Sequence, residues 1–232
     1  MREIIFDTET TGFDPQDGDR MVEIGCIEMI DRIETGETFH AYFNPQRAMP
    51  QAAEAVHGLS DKFLSDKPLF ADHVDHLLAF LGDAKLVAHN ARFDFGFLNM
   101  ELARCERAQV DDARMIDTLA MARSRHPGAK LSLDALCTRY GIDRSHRVKH
   151  GALLDAELLS QLYIELTGGR QIGLGLADIV IGDQKIHMHA ADRTAAVTLP
   201  VRHFAASAAE LERHAAFVAT IEGALWGSRD GN

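Results

Sequence analysis

Two carboxylates end the first apolar segment of the chain, Asp7 and Glu9 in FDTETTG. Because side chains alternate between the faces of a strand, both should point to the same face, with Cα atoms roughly 6.6 Å apart. Like charges at this spacing repel each other and cost stability unless a cation lies between them. The pair therefore predicts a metal-ion site, provided that other parts of the chain supply further ligands.

Two later segments carry such residues. Asp94 follows the short apolar segment LVAH at the start of a predicted helix, and residues beyond strand ends converge on one edge of an α/β sheet. His150 precedes another predicted helix, which carries Asp155. Their spacing leaves them within roughly 140° of each other around a helix axis. An irregular helix entry at His150 would let both reach one site.

Each of these residues also has a simpler interpretation. Asp94 can be a favourable acid near a helix N-terminus, Asp155 a solvated helix residue, and His150 a surface histidine. Asp155 is flanked by leucines on both sides, which argues against the solvated interpretation. Together with an acid pair at the end of a buried strand, the residues favour one shared site.

The elements that must position these residues follow from the apolar pattern. Partial alternation predicts an antiparallel meander of REIIFDTE, MVEIGCIEMI and ETFHAYFN, separated by the turn-rich GFDPQDGDR and by DRIETG. A short buried strand is predicted at KLVAHN. Helices are predicted over LFADHVDHLLAFLG, ARFDFGFLNMELARCE, LSLDALCTRYG and GALLDAELLSQLYIELTGG. The order predicts the α/β class, a mixed central sheet flanked by helices.

Composition and net charge limit the functions that the protein can have. The chain has 232 residues, 46% of them apolar, enough for one sizeable core with a small appendage. The net charge of −11 argues against tight DNA binding by the protein's own field, but allows a metal-dependent enzyme or a substrate delivered by a partner. The scattered cysteines, Cys26, Cys105 and Cys137, indicate reduced, packed thiols and a cytoplasmic protein. We expect neither a signal peptide nor a membrane span.

The segments FDTETTG, HNARFDFGFL and HGALLDAELL closely resemble the motifs of the DEDDh 3′→5′ exonucleases, in order and in spacing. AVHGLSD and LSLDALCTRYGID extend the similarity over most of residues 1–168. Among these enzymes, the chain looks most like the proofreading subunits of bacterial replicative DNA polymerases. The resemblance implies a ribonuclease H-like exonuclease domain over residues 1–169.

The resemblance also implies roles for the acids. Asp7, Glu9, Asp94 and Asp155 would hold two Mg²⁺ or Mn²⁺ ions, and His150 would be the general base. Mg²⁺ prefers hard oxygen ligands, and two such ions can stabilise both the attacking and the leaving oxygen of a phosphodiester. We assign Asp7 as the bridging ligand, Glu9 and Asp155 to the ion on the nucleophile side, and Asp94 to the other ion. Histidines ordinarily titrate near ~6.5, which suits a base for water at neutral pH.

The resemblance further implies which residues bind the substrate, a DNA primer 3′ end from which nucleoside 5′-monophosphates are released. They are Asp7, Glu9, Thr10, His57 and Asp155, with the backbone of residues 10–12 close to the terminal nucleotide.

Flanking side chains have two interpretations each. By the same resemblance, Phe13 or Met21 is expected beside the last base, but plain packing would explain Phe13 equally well. Asn90 either orients the region of Asp94 or caps the helix that follows.

The segment after Gly169 is predicted to bind partners. QIGLGL resembles a sliding-clamp motif, in which Gln171 offers amide hydrogen bonds while Leu174 and Leu176 fill an apolar groove. A linker whose leucines pack on the domain is the alternative. Residues 170–205 are predicted to be the linker that contains this motif, and the implied partner is the beta sliding clamp.

Residues 206–232 resemble a polymerase-docking segment, which implies the polymerase alpha subunit as a partner. Ser207 and Glu210 are placed to form a capping box at the start of an amphipathic helix. Phe217 lies on its apolar face, and Trp226 at or just past its end suits a docking anchor. An autonomous small subdomain is the alternative.

Three functions are therefore weighed: a proofreading exonuclease within a replicase, a free-standing DEDDh exoribonuclease or oligonucleotide-trimming nuclease, and a catalytically silent scaffold. The partner-binding tail favours the first over the second. A scaffold has no use for the repulsion among clustered carboxylates, so the intact set of acids with His150 argues against the third.

Overall fold

The computed structural model describes residues 1–145, 149–169 and 206–221. The chain divides into two compact units, Met1–Gly175 and Leu176–Asn232, each described by itself below. The division of the chain into exonuclease domain, linker and docking segment stays a prediction.

The first unit is built on a mixed sheet whose strands are β1 (Arg2–Thr10), β2 (Met21–Ile30), β3 (Ile33–Tyr42), β4 (Lys85–Ala88) and β5 (Met115–Asp117). Their order across the sheet is β3-β2-β1-β4-β5. The first three strands form the predicted antiparallel meander, while β4 and β5 run parallel to β1. The predicted α/β class is thus confirmed.

The turn between β2 and β3 is shorter than predicted. The strand β3 begins at Ile33 rather than at Glu37, so most of the predicted turn DRIETG belongs to the strand. Only Asp31 and Arg32 turn, both with positive φ, 51° and 66°. Two-residue hairpin turns require such φ values and match the twist of the strands, which explains why the pairing continues to Ile30 and Ile33.

The helices of this unit are α1 (Gln51–His57), α2 (Asp61–Leu64), α3 (Phe70–Leu81), α4 (Ala91–Arg104), α5 (Thr118–Arg125), α6 (Leu133–Tyr140) and α7 (Ala152–Leu166). The structure confirms the predicted helices α3, α4, α6 and α7, with Gly82 after α3 and Gly141 after α6. The short elements α1, α2, α5 and β5 were not predicted. They are too short for a helical or strand period to stand out.

The two faces of the sheet bury separate apolar clusters. Ile4 and Phe6 of β1 pack with residues of α3 and α4, whereas Ile5 packs with residues of α6 and α7. This follows from the alternation of side chains along β1. Asp7 and Glu9 therefore point toward the face covered by α7, and Thr8 toward the face covered by α4. Cys26 and Cys137 are buried, as predicted for packed thiols.

In the second unit the structure describes one helix, α8 (Ala208–Val218). Its predicted capping box is confirmed: the Ser207 hydroxyl accepts a bond from the Glu210 N–H at 3.3 Å, and the Glu210 carboxylate accepts one from the Ser207 N–H at 2.8 Å. The helix ends at Val218, short of the predicted end, and Phe217 is exposed.

Several predicted positions lie outside the described residues. They are the linker, residues 170–205, with the clamp-motif residues Gln171, Leu174 and Leu176, and the anchor Trp226. Among the residues described, no helix is both long and apolar enough to cross a membrane.

Candidate active site

The sequence-predicted acids meet at one end of β1. Asp7 and Glu9 lie near the C-terminal end of this strand, opposite Gly25 and Glu23 of β2. The parallel neighbour β4 ends beside them and leads through His89 and Asn90 into α4. The strand ends thus define the site, as the sequence predicted.

Asp94 reaches this end from the face covered by α4. It lies on the first turn of that helix and is 3% exposed. Thr8 donates a hydrogen bond from its hydroxyl to Asp94 Oδ1 at 2.7 Å. Burial raises the pKa of Asp94 to about 7, and the hydrogen bond from Thr8 acts in the opposite direction.

Asp155 reaches the same end from the opposite face of the sheet. It lies on the first turn of α7 and is 3% exposed. His150 precedes the N-cap residue Gly151, and its Nδ1 lies 3.2 Å from Asp155 Oδ2. The irregular entry to α7 thus brings the imidazole and the carboxylate together, as the spacing predicted.

The acids and the histidine converge on a cavity of about 190 Å³. Ligand atoms of Glu9, His150 and Asp155 all lie within 4.8 Å of one another. The cavity is lined by Asp7, Thr8, Glu9, His89, Phe93, Asp94, Leu133, His150 and Asp155.

This donor set fits divalent metal ions. Glu9, Asp94 and Asp155 are all at most 9% exposed, and ionised carboxylates are costly to bury unless a positive charge or hydrogen bonds compensate them. Their oxygens are hard ligands of the type that Mg²⁺ and Mn²⁺ prefer.

A second, larger cavity of about 410 Å³ adjoins the first. We call it the groove; its lining is Thr8, Glu9, Thr10, Thr11, Gly12, Phe13, Asp19, Pro50, Ala52, Ala53, Val56, His57 and Phe93. The predicted substrate residues Thr10 and His57 both line it. His57 is buried, and its Nδ1 accepts a hydrogen bond from the N–H of Leu59 at 3.0 Å. Burial lowers the pKa of His57, which favours the neutral imidazole.

The structure separates the two residues predicted to lie beside the last base. Phe13 is 90% exposed at the mouth of the groove, whereas Met21 is 1% exposed and belongs to the core. Met21 is therefore not placed to meet a base. The plain-packing interpretation of Phe13 is also wrong, because this side chain is almost fully solvent-exposed.

Some lining residues were missed from the sequence. Val56 lines the groove while 49% exposed, and Phe93 lines both cavities. An exposed valine next to the last residue of a short helix gives no periodic signal, so only the tertiary structure shows that it lines the groove. Asn90 occupies the N-cap position of α4 without a side-chain capping bond, and its N–H donates to Asp117 at 3.1 Å.

Known proteins are similar to this chain in sequence. The sequence family described as Exonuclease matches residues 4–163. The DNA polymerase III subunit epsilon of Rickettsia felis is 46% identical over 95% of this chain and 97% of its own length. That of Escherichia coli K12 is 44% identical over 73% of this chain and 72% of its own.

Solved structures show the same fold. Exonuclease X in complex with 5′ overhanging duplex DNA superposes with a TM-score of 0.56 at 27% identity, over 71% of this chain and 90% of that one. The nuclease domain of 3′hExo, a DEDDh family member bound to rAMP, superposes with a TM-score of 0.62 at 15% identity, over 72% and 91%.

The family match over residues 4–163 thus defines an exonuclease, the enzyme class that the sequence predicted. The chain belongs to this family and, within it, to the DNA polymerase III epsilon subunits.

Proposed function

We propose that this exonuclease removes mispaired nucleotides from the 3′ end of a DNA primer, as the proofreading subunit of a bacterial replicase, and releases nucleoside 5′-monophosphates. The observation that carries the proposal is that ligand atoms of Glu9, Asp155 and His150 lie within 4.8 Å of one another, next to the groove.

Asp7, Glu9, Asp94 and Asp155 would hold two Mg²⁺ or Mn²⁺ ions. When bound, such ions stabilise negative charge on the attacking and leaving oxygens of a phosphodiester. Asp7 is assigned to both ions, Glu9 and Asp155 to the nucleophile side, and Asp94 to the leaving-group side.

His150 accepts the proton of the attacking water. Its ring lies at the mouth of the small cavity, with a side chain 45% exposed, so water can reach it. The buried Asp155 carboxylate beside Nδ1 orients the ring and stabilises the imidazolium that proton transfer creates.

The groove holds the terminal nucleotide. Residues 10–12 and His57 are part of its lining. Phe13, exposed at the mouth, offers an aromatic face on which the last base can stack. A mispaired end frays more easily than a paired one, so it enters this groove more often.

The partners are the polymerase III alpha subunit, which would bind residues 206–232, and the beta sliding clamp, which would bind residues 171–176. Support comes from the relative in Rickettsia felis, named as a polymerase subunit, whose similarity extends over 95% of this chain and so includes part of this tail. Such a polymerase would hold the duplex and explain how a chain of net charge −11 meets DNA. Replication in bacteria places the protein in the cytoplasm.

The test is the degradation rate of a 3′-end-labelled primer–template, paired or mispaired at the 3′ end, in Mg²⁺. The intact protein is compared with Asp7→Ala and with Asp112→Ala, which removes an exposed acid that lines neither cavity. We expect faster release of mononucleotides from the mispaired end, lost only in Asp7→Ala. Preferential cleavage of RNA would instead indicate the free-standing exoribonuclease, and a folded but inactive intact protein would indicate the scaffold.

A further inference from the structure

The helix α7 lies unusually close to the sheet at one residue of β2. A Cβ atom added at Gly25 would lie 2.3 Å from the backbone nitrogen of Leu153, 2.4 Å from its Cα and 2.5 Å from the carbonyl carbon of Ala152. Gly25 is not among the glycines with positive φ. The glycine is therefore required for space and not for backbone conformation.

The helix carries two buried small residues at this end. Ala152 and Ala156 are both 0% exposed, and residues four apart lie on one face of a helix. A glycine on the strand and alanines on the helix let the two backbones approach closely.

This contact lies beside the catalytic acids. Gly25 is the direct partner of Asp7 in the β1–β2 ladder, so both residues face α7. The turn of α7 that rests on Gly25 is the one that carries Asp155, and His150 immediately precedes it. Where this turn rests on the sheet thus determines how far Asp155 and His150 lie from Asp7 and Glu9.

We propose that Gly25 is a positioning residue for catalysis, which sets the distance between the acids of β1 and the Asp155–His150 pair of α7. The inference rests on the proposed metal-dependent function of these residues. Ordinary van der Waals contact for a Cβ begins at 3.4 Å. A methyl group at Gly25 therefore displaces the backbone of α7 by about 1 Å, and misplacement on that scale can cost roughly a hundredfold in rate.

The test compares Gly25→Ala with Gly96→Ala in the full chain. Gly96 lies on α4, two residues after Asp94, and a Cβ there would approach nothing closer than Pro15 at 3.9 Å. Both variants gain the same methyl group near a catalytic acid, but only the methyl group of Gly25→Ala would press against the backbone of α7. The measurements are kcat and KM on a mispaired primer–template, the calorimetric affinity for Mn²⁺, and the thermal unfolding midpoint.

We expect Gly25→Ala to unfold cooperatively, to lose about a hundredfold in kcat, and to bind Mn²⁺ at least about tenfold more weakly. Its KM should stay within about twofold, because Gly25 does not line the groove. Gly96→Ala should match the intact protein in all of these. A merely structural role would lower the unfolding midpoint without this split between kcat and KM.

Two results would overturn the inference: Gly25→Ala with unchanged kcat and Mn²⁺ affinity, or a variant that does not fold at any temperature tested. The parallel Asp7→Ala variant distinguishes the two proposals. If it is inactive while Gly25→Ala is fully active, only the role of Gly25 fails. If Asp7→Ala is as active as the intact protein, the proposed function itself fails.

Discussion

The two adjoining cavities are built in different ways. The small one collects its acids from β1, α4 and α7, whereas the groove is formed by the end of β1, the loop after it and the helix α1 with its entry. They share Thr8, Glu9 and Phe93 as lining. The difference teaches that the proposed chemistry depends on segments that are far apart in the sequence and meet in the fold. Binding of the terminal nucleotide would depend mainly on segments from the first quarter of the chain.

The difference also separates two kinetic effects. Residues that touch only the small cavity should act on the chemical step, and residues that touch only the groove should act on substrate binding. Variants of Asp155, His150 and Phe13 test that separation, whereas a variant of Thr8, which lines both cavities, tests the support of Asp94.

The largest effect is expected for Asp155→Asn, which keeps the shape of a buried side chain but removes its charge. We expect a loss of about a thousandfold in kcat, because metal-supported charge stabilisation contributes several kcal/mol and each ~1.4 kcal/mol is tenfold. Single-turnover cleavage of a primer–template measures it. The matched control is Asp112→Asn. Normal turnover by Asp155→Asn would show that Asp155 is not one of the catalytic acids.

The variant His150→Gln should have the next largest effect. The amide keeps a polar group near Asp155 but cannot accept the proton at neutral pH, so we expect kcat to fall by about a few hundredfold. The affinity for Mn²⁺, measured by calorimetry, should fall less than in Asp155→Asn. If His150→Gln turns over normally, or if kcat of the intact enzyme does not change as the pH is raised, His150 is not the base.

A smaller effect is expected for Thr8→Val, which removes the hydroxyl bonded to Asp94 at 2.7 Å. Partners of metal ligands typically contribute about 10- to 100-fold to metal affinity or activity. Thr8→Ser restores the hydroxyl and should recover most of the loss in kcat and in Mn²⁺ affinity. Unchanged kcat and Mn²⁺ affinity in Thr8→Val would show that this hydrogen bond does not support Asp94.

The smallest effect is expected for Phe13→Ala. This variant should change KM rather than kcat. Stacking of a base on an aromatic ring contributes roughly 1–3 kcal/mol, so KM should rise by about tenfold with little change in kcat. Phe63→Ala removes another exposed phenylalanine, 40% exposed, that lines neither cavity. The Phe63→Ala variant should bind the primer–template normally. A drop in kcat in Phe13→Ala would contradict the proposed separation of roles between the two cavities.

Many features of the molecule could be predicted from the sequence because they depend on residue patterns within a single strand or helix. Strand alternation placed Asp7 and Glu9 on one face, apolar spacing and Gly82 delimited α3, and the Ser207–Glu210 box started α8. These features depend on backbone geometry over a few residues.

The convergence of Asp94 and Asp155 is of a different kind. The sequence places each near a helix start, but only the tertiary structure shows that α4 and α7 cover opposite faces of the sheet and meet at the end of β1. The burial of Met21 and the exposure of Phe13 were likewise decided by packing, whereas the early start of β3 follows from the two-residue turn at Asp31 and Arg32.

By itself, then, the sequence determined which residue types could bind metal ions, on which elements they lie, and to which enzyme family the motifs point. Only the tertiary structure decided the distances among them, such as the 3.2 Å between His150 and Asp155, and the need for a glycine at position 25. The physical reason is that a local pattern fixes the direction of a side chain along its own element, whereas the separation of two elements depends on the side chains that both place between them.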